Sequence, residues 1–119
     1  MAILHSKVIG DGPVLVLLHG FLCSSLIWEK LISALKKSYK LVLIDLPGHG
    51  KSNGYNVKTI DQIAELVFNT ISKIGIHKFA LLGHSMGGYI AMAMAYHDIN
   101  RIDKLILLNS TPFADSNEK

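Results

Sequence analysis

Four short, nearly uninterrupted apolar runs constrain this chain more than any other feature: Val14 to Leu18, Lys40 to Ile44, Phe79 to Leu82 and Leu105 to Leu108. Each has the length of a strand, and none shows the polar alternation that a strand with one wet face requires. They read as strands buried on both sides, as in a parallel sheet covered by helices. Helical periodicity fills the gaps between them. Leu26, Leu31, Ile32 and Leu35 mark a first helix, and Ile60, Ile63, Ala64, Val67, Phe68, Ile71 and Ile74 mark a second. The second carries a capping box, Thr59 followed by Gln62, and Gly75 stands where a left-handed C-terminal cap is wanted. A third helix is expected from Met86 to about Tyr96, with Gly87 and Gly88 in its first turn for close packing on the sheet.

Strand and helix therefore alternate, which predicts the α/β class: an open, mostly parallel sheet with right-handed crossovers and helices on both faces. Ala2 to Ile9 adds a further strand. With Gly10-Asp11-Gly12-Pro13 as its turn, the simplest expectation is a hairpin leading into Val14. At 119 residues, half of them hydrophobic and 18% charged, the chain is expected to form one core-bearing domain over 1–119 and not a disordered or fibrous polymer.

Several function classes drop out on composition. The net charge is only +3 and has no basic block, which argues against nucleic-acid binding. Lys36, Lys37 and Lys40 follow a helix end, where cations suit the dipole. The longest apolar stretch, Tyr89 to Tyr96, is far shorter than the ~20 residues of a membrane-spanning helix. His19 and Gly20 interrupt the first apolar run where a signal peptide would continue, so a cytoplasmic location is expected. Cys23 is the single cysteine, without a disulfide or metal partner of its own kind, and reads as a small apolar filler. Gly50-Lys51-Ser52 is not a phosphate loop, because that pattern needs glycine at 45, where Asp45 stands.

In a parallel sheet the ligand crevice lies at the carboxyl ends of the strands. Those ends here are His19-Gly20-Phe21, then Asp45-Leu46-Pro47-Gly48-His49-Gly50-Lys51-Ser52, then Gly83-His84-Ser85-Met86-Gly87-Gly88. Gly83-x-Ser85-x-Gly87 between a buried strand and a helix has the context of a nucleophile elbow, a strained turn that lifts the serine Oγ above the sheet. The same turn aims the Met86 N–H at a developing oxyanion, with the helix dipole adding favourable potential. A second donor is needed from the loop after Val14 to Leu18, and the Phe21 N–H is the candidate.

These three strand ends, in this order, resemble the markers of the α/β-hydrolase superfamily: its oxyanion loop, its fourth-strand turn and its elbow. The resemblance covers essentially the whole chain. It implies a partial hydrolase fold, supplying counterparts of strands 2 to 6 of the family's sheet order 1-2-4-3-5-6-7-8. It implies Ser85 as nucleophile, Phe21 and Met86 as oxyanion-hole amides, no cofactor, and a small-molecule ester or thioester as substrate. His19-Gly20-Phe21-Leu22 with Trp28 and the Asp45 to Ser52 turn is also similar to menaquinone-pathway lyase relatives, which eliminate instead of hydrolysing, and small carboxylesterases share much of the same pattern.

The resemblance places the acid and histidine of the triad after the seventh and eighth strands, beyond this chain. Within it, His97 stands twelve residues along the helix that Ser85 begins, too far to be the base. His19 reads as a brace of its turn, His84 as pointing away from the reactive face, and Asp45 as holding its loop through backbone amides. Asp115 follows the last strand where some family members keep the acid, but Asn109-Ser110-Thr111-Pro112 directly after the strand offers none. The expectation is a nucleophile-bearing half of a hydrolase, truncated or one piece of a split enzyme. The strand from Lys104 to Asn109 would then be an uncovered edge that self-associates or binds a second chain. A catalytically inactive interaction domain is the competing reading.

Overall fold

A computed structural model describes residues 3–18, 25–46 and 59–108. Five strands and three helices follow in the order β1 (Ser6–Ile9), β2 (Val14–Leu18), α1 (Ser25–Leu35), β3 (Lys40–Ile44), α2 (Ile60–Ile74), β4 (Phe79–His84), α3 (Met86–His97) and β5 (Ile102–Leu108). A single 3-10 turn, Ile99–Arg101, joins α3 to β5.

The strands form one sheet in the order β1-β3-β2-β4-β5. β2, β3, β4 and β5 run parallel, and β1 alone is antiparallel, Ser6 facing Ile44 and Ile9 facing Leu41. This is the arrangement the family order requires of strands 2 to 6. The expected hairpin is not formed, because β3 lies between β1 and β2. The Gly10–Pro13 turn has to pass the start of β3, where the Lys40 N–H donates to the Pro13 carbonyl at 2.9 Å. Gly10 and Gly12 take positive φ values of 86° and 121° there, and a Cβ on Gly12 would lie 2.6 Å from the Ser38 carbonyl oxygen. The turn is thus wedged against the α1–β3 connection instead of closing on its own strands.

Side chains that alternate along each strand split the core in two. Val16, Leu18, Val42, Ile44, Phe79 and Leu81 pack with Ala64, Val67, Ile71, Ile90, Ala91 and Met94 of α2 and α3. Leu15, Leu17, Leu41 and Leu82 face the other way, against Leu31, Ile32 and Leu35 of α1. β2 and β3 are accordingly buried on both sides, as their apolar runs imply. β5 departs from that expectation. Ile102 is buried, but Leu105, Ile106 and Leu108 are 38%, 43% and 39% exposed, because β5 is an edge strand with nothing among the described residues beyond it.

α2 carries the caps that its sequence announces. Thr59 Oγ1 accepts from the Gln62 N–H and Gln62 Oε1 accepts from the Thr59 N–H, each at 3.1 Å, and Gly75 closes the helix at φ 96°. Its buried Thr70 accepts from the Leu4 N–H at 2.7 Å and donates to the Leu66 carbonyl at 2.8 Å. Arg101 ties the far end of α2 to the start of β5. It donates to the carbonyls of His77 and Ile76 at 2.9 and 2.8 Å and lies over the Phe68 ring at 5.2 Å.

Candidate active site

Register fixes where the strand ends emerge. Leu18 is level with Ile44 on one side and Gly83 on the other, so β2, β3 and β4 finish at one height and the residues after them share one edge of the sheet. Ser85 occupies the joint between β4 and α3 at φ 57° and ψ −119°, and it is the single non-glycine residue at positive φ among the described residues. Such a conformation costs an L-residue ~1–3 kcal/mol and persists only where the surroundings impose it.

Two close approaches impose it. A Cβ on Gly83 would lie 2.7 Å from the Gly87 carbonyl carbon and 2.7 Å from the Gly88 Cα, so the end of β4 runs against the first turn of α3. A Cβ on Gly87 would lie 2.7 Å from the carbonyl carbon of Leu18, the last residue of β2. The β4–α3 joint is therefore pressed against the end of β2. Both obstacles are backbone and cannot swing aside. The Gly88 N–H donates to the Ser85 carbonyl at 2.9 Å and closes the turn.

Ser85 is half-buried and Met86 follows as the first helical residue, its side chain packed on the α2–α3 side of the core. The first turn of α3 holds no acidic residue, so the positive end of this twelve-residue helix is not offset by a carboxylate of its own. Phe21 and His19 lie outside the described residues, as do Cys23, His49 and Asp115. The Asp45 N–H donates to the His5 carbonyl at 3.0 Å, which fixes the exit of β3 beside β1.

The described histidines do not gather around Ser85. His5 and His77 are exposed. His84 closes β4 and by strand alternation shares the side of Ala80 and Leu82. His97 stands at the other end of α3, roughly 18 Å along the helix axis at 1.5 Å per residue. There its Nε2 meets Asp61 Oδ1 at 3.0 Å, a surface pair between α3 and α2 that no linear spacing announces. Among the described residues no group of three His, Cys, Asp or Glu side chains could hold a metal ion, and no helix is long and apolar enough to cross a membrane.

The chain is 33% identical over 112 residues to the pimeloyl-[acyl-carrier protein] methyl ester esterase of Nitrosomonas europaea, which is 94% of this chain and 43% of that protein. It is 36% identical over 110 residues to the protein of the same name from Proteus mirabilis, covering 92% of this chain and 41% of that one. Among solved structures, a marine microorganism esterase superposes over 100% of the chain and 46% of its own, with a TM-score of 0.89 and 27% identity. A thermophilic esterase from Thermogutta terrifontis covers 97% of the chain and 43% of its own, with a TM-score of 0.85 and 31% identity. The chain thus spans less than half the length of these relatives. The family model described as the alpha/beta hydrolase fold matches residues 13–119, from the turn before β2 onward, and with the strand order and the β4–α3 joint in place the chain belongs to the α/β-hydrolase family.

Proposed function

We propose that this chain provides the nucleophile-bearing part of a serine ester hydrolase, in which Ser85 forms an acyl-enzyme with a small-molecule ester. The observation that carries the reading is the backbone of Ser85, held at φ 57° between two glycines that have no room for a Cβ. Strain of this kind is maintained by its surroundings, and a serine raised at the end of a parallel strand is a group presented to a crevice. The likeness to proteins named as esterases supports the same reaction class.

In the proposed reaction Ser85 Oγ attacks the ester carbonyl as a base removes its proton. The backbone N–H groups of Met86 and Phe21 stabilise the resulting oxyanion, aided by the positive end of α3. The tetrahedral species collapses to the acyl-serine and expels the alcohol. Water then attacks in the same site and releases the acid. No step requires a cofactor. The family resemblance puts the base and its orienting acid after the seventh and eighth strands, so both are proposed to come from polypeptide outside these 119 residues. A cytoplasmic setting fits the single cysteine.

A fluorophosphonate probe tests the serine directly. Oxyanion stabilisation alone leaves part of the catalytic power of such sites, so Ser85 should be labelled slowly but selectively over the other serines. The adduct should vanish in Ser85→Ala, and labelling should quicken on adding free imidazole as a substitute base. Adducts scattered over other serines, or an equal adduct mass in Ser85→Ala, would defeat the proposal.

A further inference from the structure

The start of α2 and the end of α3 meet at a surface that is both apolar and acidic. Between them lies a cavity of about 390 Å³, with the buried Ala64 and the half-buried Phe68 as its floor and Asp61, Glu65 and His97 on its rim. The floor is held in place, since the Phe68 ring lies 6.4 Å from that of Phe79 and 5.2 Å from the Arg101 guanidinium carbon. The rim is held as well, because His97 Nε2 meets Asp61 Oδ1 at 3.0 Å from one helix to the other.

Exposed apolar residues gather at this rim. Apart from Val8 on β1 and Leu105, Ile106 and Leu108 on β5, the exposed large hydrophobic residues among those described are Ile60, Tyr96 and Ile99, at 41%, 87% and 59%. Ile60 opens α2 directly before Asp61, and Ile99 follows His97 by two residues. Tyr96 directly precedes His97, and its ring stands edge-on to the imidazole at 5.5 Å. None of the three lines the cavity, so a small molecule confined there would leave all of them in water. Covering the cavity and its apolar border together takes a partner of macromolecular size.

Charge selects among such partners. Asp61 and Glu65 are joined by Asp98 next to His97, and among the described residues no lysine or arginine lines the cavity, although the chain as a whole carries +3. An anionic lipid surface or a nucleic acid would be repelled. Two-fold pairing of two copies through this face would set the same carboxylates against one another. A cationic polypeptide is attracted instead. Asp61 and Glu65 stand four residues apart on α2, about 6 Å of axial rise, which matches two cations one turn apart on a second helix. We propose that the start of α2 and the end of α3 form a docking surface for a basic amphipathic helix, which lays its apolar stripe over Phe68 and Tyr96 and directs lysine or arginine to Asp61 and Glu65. Nothing in this surface depends on the chemistry proposed for Ser85, which stands at the other end of α3.

The probe is a synthetic helix of about 18 residues, roughly five turns, with leucine on one face and lysine on the other. It is titrated into the 119-residue chain by calorimetry and followed by the chain's amide NMR shifts. Saturable one-to-one binding is expected, with the shifts centred on Ala64, Glu65, Phe68 and His97. Glu65→Lys should weaken binding about tenfold, because it replaces an attraction by a repulsion. Tyr96→Ser should weaken it several-fold. Glu29→Lys makes the same change of charge at an exposed position on α1 and should leave binding unchanged. The same peptide with glutamate in place of lysine should not bind. Circular dichroism and urea melts of each variant confirm that the fold persists. Absence of binding, shifts centred elsewhere, equal losses in Glu65→Lys and Glu29→Lys, equal binding of the glutamate peptide, or a dimer of the chain broken by Glu65→Lys would overturn the proposal.

Discussion

Replacing Ser85 with glycine should make the protein more stable than replacing it with alanine, the reverse of the usual order. Both variants lose the hydroxyl, so they differ by one methyl group and by the backbone freedom it removes. At φ 57° and ψ −119° alanine retains the full strain of an L-residue, ~1–3 kcal/mol, whereas glycine occupies the region freely. Glycine also gives the unfolded chain more freedom, which at an unstrained site disfavours it relative to alanine by about 0.5–1 kcal/mol. The midpoints of the two ranges leave Ser85→Gly ahead by about 1 kcal/mol, or roughly 4 °C in Tm for a chain of this size. Urea denaturation followed by circular dichroism measures it, with an unchanged m-value showing that both variants expose the same surface on unfolding. If Ser85→Ala proves as stable as Ser85→Gly or more so, the serine is not held under strain, and the main support for its role as a presented nucleophile is lost.

Gly87→Ala should destabilise the fold by about 1–3 kcal/mol in the same urea assay, because its Cβ would run into the backbone of Leu18, and fluorophosphonate labelling of Ser85 should fall with it. Thr70→Val should cost about 1–3 kcal/mol by leaving the buried Leu4 N–H without its acceptor. Thr70→Ser, which keeps the hydroxyl and loses one methyl, should cost less. An equal loss in the two Thr70 variants would mean that packing, and not the hydrogen bond, carries the site.

Much of this fold is legible along the chain because its signals are local. β2, β3 and β4 are buried on both faces, so every residue is under pressure to be apolar and the runs stand out. The ends of α2 are spelled by Thr59, Gln62 and Gly75, whose caps are complete within a few residues. β1 shows where that legibility stops. Gly10 to Pro13 announces a turn, but which strand β1 pairs with is decided by the distant β3, and the sheet order came from resemblance alone. The start of β5 was obscured because Asp103 and Lys104 lie on an edge strand, where polar residues are tolerated. Ser85 was visible through its flanking glycines, and the reason for Gly87 was only half visible. It leaves room for the turn, but it is also the point where α3 meets the end of β2, a contact between residues 69 positions apart that a linear pattern cannot express.

The bond from the Leu4 N–H to Thr70 Oγ1 sets a timetable for synthesis. The two residues are 66 positions apart, and a ribosome adding ~5–20 residues per second needs roughly 3–13 s to bring the second out after the first. β1 waits as well, since β3, its partner among the described residues, begins at Lys40. Residues 4 to 9 are therefore made well before the elements that fasten them. On the nascent chain they stay open to proteases and modifying enzymes until α2 has emerged and folded.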